Sequence, residues 1–279
     1  MKGTLNMLEQ NTSVVRRPST AACLAAAPLV LGGAAALAAD KPAVDSAAVD
    51  KAFDALKTFK WGSDPKVLQP IEDALVVAHC DAAVCKALEA RLAAVLGSGA
   101  SRPAKDYVCR ALRVIGTAQS VPALAARLAD KDSSHMARYA LERIEAPEAA
   151  QALREALPKL DGALKIGVIG SLGVRRDAES VQPLVALLGD ADQAVAGSAA
   201  CALGDIGTPE AATALGQAAK AGSKCGCAVA DACLACAERL LADGKKADAV
   251  AAYKSLTGSE QPKQIRLAAT RGLLAAAGK

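Results

Sequence analysis

Residues 201–211 read Cys201-Ala202-Leu203-Gly204-Asp205-Ile206-Gly207-Thr208-Pro209-Glu210-Ala211. Gly207 stops a helix and Pro209 is tolerated in the first turn of the next, so this stretch is the junction of two helices. The same kind of junction recurs upstream. Gly170-Ser171-Leu172-Gly173, Tyr139-Ala140-Leu141-Glu142-Arg143-Ile144 and Arg110-Ala111-Leu112-Arg113-Val114-Ile115-Gly116 share its register. The leucines 112, 141, 172 and 203 are 29, 31 and 31 residues apart. Twelve residues after each comes Leu124, Leu153, Leu184 or Leu215, and four later Leu128, Leu157, Leu188 or Ala219. A period near 30 with a constant internal offset is the signature of a stack of like units, each one supersecondary element.

The unit itself follows from helical spacing. Val108, Ala111, Leu112 and Ile115 lie at i, i+3, i+4 and i+7, one face of a first helix. A Gly-containing turn follows, and a second helix presents Leu124 and Leu128. Asp132, Asp161 and Asp192 recur at the end of the unit. They are expected to cap the free N–H groups of the next helix; a cation-binding carboxylate ladder is the other reading of that pattern. A pair of roughly 12-residue helices buries too little apolar surface to stand alone, so stability belongs to the stack. Leu68, Ile71 and Leu75 followed by Val84, Leu88 and Leu92 fit a divergent first unit, and Gly97–Pro103 a longer loop after it. The expected fold class is all-α, an α-α superhelix of antiparallel pairs.

Composition agrees. Apolar residues make up 52% of the 279 but aromatics only 2%, so the apolar content is mainly Ala, Leu and Val. Alanine and leucine favour helices, and small side chains let helices pack closely. Phe53, Phe59 and Trp61 are half of the six aromatics. With Leu56 they predict a helical cap over residues 40–64; an exposed aromatic binding spot is the alternative.

The Ala202–Ala211 run, Ala-Leu-Gly-x-Ile-Gly-x-Pro-Glu-Ala, resembles the HEAT family, in particular the short repeats named after phycobilisome lyases. The resemblance covers about residues 65–223. It implies an all-helical superhelix used for protein–protein contact, and it does not by itself imply lyase activity, because function lives in sites grafted on a fold. Residues 224–279 depart from it. Helices are expected over 227–241 and 246–257, and the Asp243-Gly244-Lys245-Lys246 turn with Tyr253 resembles a tetratricopeptide-type hairpin. Residues 265–273 resemble one more first helix, expected to cap the stack.

Residues 18–39 carry no charge and follow Arg16-Arg17. Ala36-Leu37-Ala38 supplies a small-x-small cleavage pattern, and Asp40 opens a polar segment. This is the layout of a signal peptide over residues 1–39, which places the mature chain in the periplasm or outside the cell. A membrane anchor is disfavoured because Ala and Gly dominate the span and only Leu29-Val30-Leu31 is strongly apolar. The paired arginines resemble a twin-arginine signal, but Pro18-Ser19-Thr20 stands where that motif has an aromatic residue and a leucine. No second hydrophobic span follows.

Nine cysteines occur, one of them, Cys23, in the leader. Among the other eight, the disulfide candidates are Cys80, Cys85, Cys201, Cys225, Cys227, Cys233 and Cys236. Cys80 and Cys85 flank one turn, and the repeat register sets Cys201 and Cys233 on neighbouring first helices. Buried thiols serving as small hydrophobes are the bland alternative. Cys225, Cys227, Cys233 and Cys236 would together supply four soft metal ligands, yet two of them fall inside one helix. Ala237 follows Cys236 where haem attachment needs a histidine. His79 and His135 are the two histidines, and neither stands in a di-iron His-Glu pair or beside a nucleophile motif such as GxSxG.

The formal net charge is +4, and Lys2, Arg16 and Arg17 against Glu9 account for half of it. No Lys/Arg run marks a nucleic-acid surface. The sequence therefore predicts a non-enzymatic, exported interaction scaffold with protein partners, no cofactor, no nucleic acid, no membrane span after signal cleavage and no assignable small-molecule substrate. A Cys-based redox or metal-binding accessory protein, or a tetrapyrrole-handling lyase-like subunit, is the alternative.

Overall fold

The repeat period becomes paired layers of helices in the computed structural model, which describes residues 44–221 and 226–278. Fourteen α-helices and no strand occur among the described residues. Helix α1 (Ser46–Thr58) precedes five pairs: α2 (Gln69–Ala78) with α3 (Ala82–Leu96), α4 (Arg102–Ile115) with α5 (Val121–Ala125), α6 (Ser134–Leu141) with α7 (Pro147–Ala156), α8 (Gly162–Val174) with α9 (Val181–Leu187), and α10 (Gln193–Ile206) with α11 (Pro209–Lys220). A sixth pair, α12 (Gly226–Ala242) and α13 (Lys246–Ser255), and a last helix α14 (Lys263–Ala276) complete the order. First helices pack on first helices, α4 on α6, α6 on α8, α8 on α10 and α10 on α12. Second helices do likewise, α3 on α5, α5 on α7, α9 on α11 and α11 on α13. This is a HEAT/ARM-like α-solenoid. The predicted signal peptide lies outside the described residues.

The periodic leucines form its core. Leu112, Leu141, Leu172 and Leu203, with Leu124, Leu153, Leu184 and Leu215, are fully buried. Each contributes about 1.5–3 kcal/mol relative to an exposed position. Where first helices cross, side chains shrink to let backbones meet. A Cβ added to Gly173 would lie 2.9 Å from Ala202 Cα, and one on Gly204 would lie 2.8 Å from the Ala232 carbonyl oxygen. Gly207 closes α10 in the left-handed conformation (φ 69°), and Thr208 then caps α11 by accepting from Ala211 N–H at 3.2 Å.

Three expectations change. Two second helices are much shorter than a 12-residue pair implies, α5 with 5 residues and α9 with 7, while α11 has 12. The helical path continues as tighter i→i+3 turns, Arg127 N–H to Leu124 and Leu128 N–H to Ala125, which keep Leu128 buried. The recurring aspartates are not equivalent. Asp192 caps α10 through Ala194 N–H at 2.8 Å, Asp161 stands at the start of α8 without a side-chain bond, and Asp132 lies before Ser133, where Asp130 instead binds the Ser133 hydroxyl. Trp61, expected in the N-terminal cap, is 75% exposed, while Val49, Ala52, Phe53 and Leu56 of α1 are buried. The Gly62 turn that follows (φ 88°) carries the chain away from the α1 interface.

Successive units are tied by polar side chains. Arg138 on α6 donates to Gly167 O at 2.9 Å and to Ser171 Oγ at 3.2 Å, and Ser171 donates to Glu142 at 2.7 Å. Arg175 donates to the Leu141 and Ile144 carbonyls at the end of the preceding first helix. Glu89 on α3, 1% exposed, accepts from Thr117 N–H at 2.6 Å, from the Thr117 hydroxyl and from Ser120 N–H at 3.1 Å. It thus organises the turn that begins α5, whose own start has no side-chain cap. At the far end α14 packs on α12 and α13, and Gly272 lies against the buried Tyr253 ring.

Candidate functional site

A concavity with convergent polar groups opens between α2, α4 and α6 near the N-terminal end of the stack. Its volume is about 610 Å³. Leu68, Leu75, Ala111 and Val114 supply apolar walls, Tyr107 and Tyr139 aromatic ones, and Phe59 and Pro65 the edge next to Trp61. Lys66, Arg110 and Arg113 bring positive charge to it and Glu72 a single negative one. Helical spacing explains the set. Tyr107, Arg110, Ala111 and Val114 fall at i, i+3, i+4 and i+7 on α4, a face adjoining the one that buries Val108 and Leu112.

Two of these groups are held without being satisfied. The Arg113 guanidinium lies over the Tyr139 ring, 4.4 Å from its centre, and its buried Nε has no hydrogen-bond partner. Tyr107 is 8% exposed, and its buried hydroxyl has no acceptor in hydrogen-bond geometry although the Glu72 carboxylate lies beside it. Burial first, then the Glu72 charge, pushes this phenol far above its ordinary pKa, so it stays a donor. Sequence reasoning missed the cleft. The α4 pattern was visible, but the contributions of α2, of α6 and of the 59–68 segment depend on how units stack.

The seven described cysteines carry free thiols. Cys80 is exposed at the α2–α3 turn, whereas Cys85 turns into the seam and donates to the Ile115 carbonyl at 3.7 Å. Cys201 is exposed on α10; Cys233 and Cys236 are buried on α12. The buried set of α12 (Val229, Ala230, Cys233, Cys236, Ala237, Leu240) tracks that of α10 (Val195, Ala196, Ala199, Ala202, Leu203, Ile206) at a 34-residue offset. Cys233 therefore occupies the place of Ala199, a core position. Cys236 donates to Thr208 O at 3.7 Å, and burial pushes its thiol up to about 12. Burial does the same to Cys109. Such thiols hold their protons at neutral pH and are poor nucleophiles. Cys227 is exposed, and Cys225 lies outside the described residues. Among the described residues no three His, Cys, Asp or Glu side chains could hold one metal ion. His79 ends α2 and is exposed, and His135 is exposed with Nδ1 3.5 Å from Arg138.

Residues 153–224 match a family described as HEAT repeats. That segment runs from the last residues of α7 through α11, so α8 to α11 are HEAT-like repeats. No curated protein matches the chain. Among solved structures, the crystal structure of an engineered protein from a structural genomics consortium is similar at 21% identity and a TM-score of 0.39, over 82% of this chain and 68% of that one. No described helix is long and apolar enough to cross a membrane.

Proposed function

We propose that this chain is a non-enzymatic, exported scaffold whose HEAT-like array presents a surface to a protein partner. The observation that carries the reading is the distribution of polar side chains. Glu89, Arg138 and Arg175 hydrogen-bond across from one unit to the next, whereas in the N-terminal cleft Arg110 and Arg113 form no ion pair and the Tyr107 hydroxyl makes no hydrogen bond. A repeat array of this kind offers extended surface, and HEAT repeats in general serve protein contacts. Export rests on the uncharged span 18–39 behind Arg16-Arg17 and on the small residues Ala36 and Ala38. The alternative redox or metal role finds no support in the buried, protonated thiols.

Photo-cross-linking residues placed at exposed positions of α4, α6 and α10 in living cells test the scaffold. Discrete adducts with one or a few envelope proteins are expected, and adduct-free protein at every position would sink the idea. N-terminal sequencing of the protein recovered from the envelope tests export. A chain beginning just after Ala38 or Ala39 is expected, and a full-length chain confined to the cytoplasm would overturn it.

A further inference from the structure

Six of the described arginines form ion pairs, and Arg138 and Arg175 instead bond to carbonyls of a neighbouring unit. Arg91 pairs with Asp50 at 2.8 Å, Arg154 with Asp177 at 2.6 Å and Glu179 at 2.8 Å, and Arg239 with Asp205 at 3.3 Å. Arg110 and Arg113, one turn apart on α4, face the same cleft and make no ion pair. We propose that this cleft binds an acidic peptide segment of the partner, with carboxylates on Arg110 and Arg113 and an apolar side chain on the floor. The proposal rests on the scaffold reading above and names the chemistry of what that scaffold holds.

The arrangement fits a peptide in three respects. Stacking on Tyr139 fixes the plane of the Arg113 guanidinium, so its free edge can meet a carboxylate with two parallel hydrogen bonds. Arg110 and Lys66 add two further cations against the single Glu72, giving the cleft an excess of positive charge that selects an anionic segment. Glu72 and Gln69 are acceptors for backbone N–H groups, which a peptide supplies and a simple anion does not. Between them Leu68, Leu75, Ala111 and Val114 leave apolar room for one side chain. The volume lies within the roughly 300–1,000 Å³ common for small-ligand sites, enough for a few residues.

The single tryptophan makes the test label-free. Trp61 is exposed and lies between Phe59 and Pro65, both of which line the cleft. The full chain is titrated with acetyl-Glu-Asp-Leu-Glu-Asp-amide while Trp61 emission is followed. The comparison probes are acetyl-Gln-Asn-Leu-Gln-Asn-amide and inorganic phosphate. Saturable binding of the acidic peptide is expected, about tenfold or more tighter than the neutral one and weakening as salt rises over a Debye length of about 10 Å at 0.1 M. Arg110→Gln and Arg113→Gln should each weaken it about tenfold, with circular dichroism unchanged, and Arg271→Gln on α14 should not. Arg110 is exposed and without a partner, so its replacement tests binding on an intact fold. Equal affinity for the neutral peptide, wild-type affinity in Arg110→Gln, or displacement of the peptide by equimolar phosphate overturns the proposal. If peptide binding fails while the cellular cross-links persist in the Arg110→Gln/Arg113→Gln protein, the cleft assignment falls and the scaffold stands.

Discussion

Glu89→Ala is expected to cut the link between the first two helix pairs. The carboxylate is 1% exposed and accepts two backbone N–H groups, Thr117 at 2.6 Å and Ser120 at 3.1 Å, as well as the Thr117 hydroxyl. Truncation leaves the buried Ser120 N–H without its acceptor and removes the charged partner of the Thr117 N–H. A hydrogen bond to a charged group contributes about 1.5–3 kcal/mol and an orphaned buried donor costs about 1–3 kcal/mol, so a loss of about 2–4 kcal/mol is expected. Glu89→Gln keeps one acceptor and the shape but not the charge, and should lose about 1–2 kcal/mol, the difference between charge-assisted and neutral bonds. Urea unfolding followed by circular dichroism measures the total. Because repeat arrays can unfold in parts, amide exchange resolved to residues 117–125 should show the loss concentrated at Thr117, Ser120 and α5. A Glu89→Ala protein within about 0.5 kcal/mol of the parent, with unchanged exchange at those amides, would refute the argument that this buried carboxylate organises the turn.

Glycines supply a paired test. Gly170 sits mid-helix in α8 with open space where a Cβ would go, so Gly170→Ala should stabilise by about 0.5–1 kcal/mol in the same urea assay. Gly272→Ala would place a Cβ 2.3 Å from the buried Tyr253 ring, and should destabilise by about 1–2 kcal/mol once steric cost is set against helix propensity, read as faster amide exchange in α14. Residue-resolved thiol labelling of the native protein should modify Cys80, Cys201 and Cys227 quickly and Cys109, Cys233 and Cys236 only on unfolding; labelling before and after reductant also reports any pairing among them. Cys109 and Cys236 have folded pKa values of about 12 against 9.0 for an ordinary thiol, so the unfolded chain releases these protons first as pH rises. Their contribution to stability is therefore intact below pH 9.0 and declines between 9.0 and about 12, and replacing both by alanine should flatten that alkaline decline.

Much of the fold was legible because one helical face repeats. The spacing of Leu112, Leu141, Leu172 and Leu203 reports a burial pattern that each unit solves in the same way, and every one of them is fully buried. The aspartate register was less informative, because a cap depends on where the helix starts rather than where the leucines fall. One residue of displacement leaves Ser133, not Asp132, at the entrance to α6, while the same spacing puts Asp192 in bonding position before α10. Cys201 and Cys233 illustrate the same limit. Carrying the 31-residue period onward makes them near equivalents, but the last pair follows a 34-residue offset, and the few residues of slip turn one thiol outward and the other into the core.

The cleft was illegible for a different reason. A repeat pattern identifies what successive units share, and this site is made of what they do not. Position 107 is tyrosine on α4, and the leucine-anchored register puts Met136 and Gly167 in the same place on the next two first helices. Gly167 there is occupied by the Arg138 guanidinium, since a Cβ would meet Arg138 Cζ at 2.5 Å. Arg138 reaches Gly167 O and Ser171, and Arg175 reaches Ile144 O, so these arginines have become internal ties between units. At α4 the neighbour on the N-terminal side is α2, the first helix of the divergent unit, whose Gln69 and Glu72 line the cleft with Arg110 but form no ion pair with it. The leucine-anchored register puts Tyr139, Gly170 and Cys201 where α4 has Arg110, so this cation belongs to one unit and is not part of the ties that join the others. The divergence of the first unit, which weakens its resemblance to the repeat, is what opens the site.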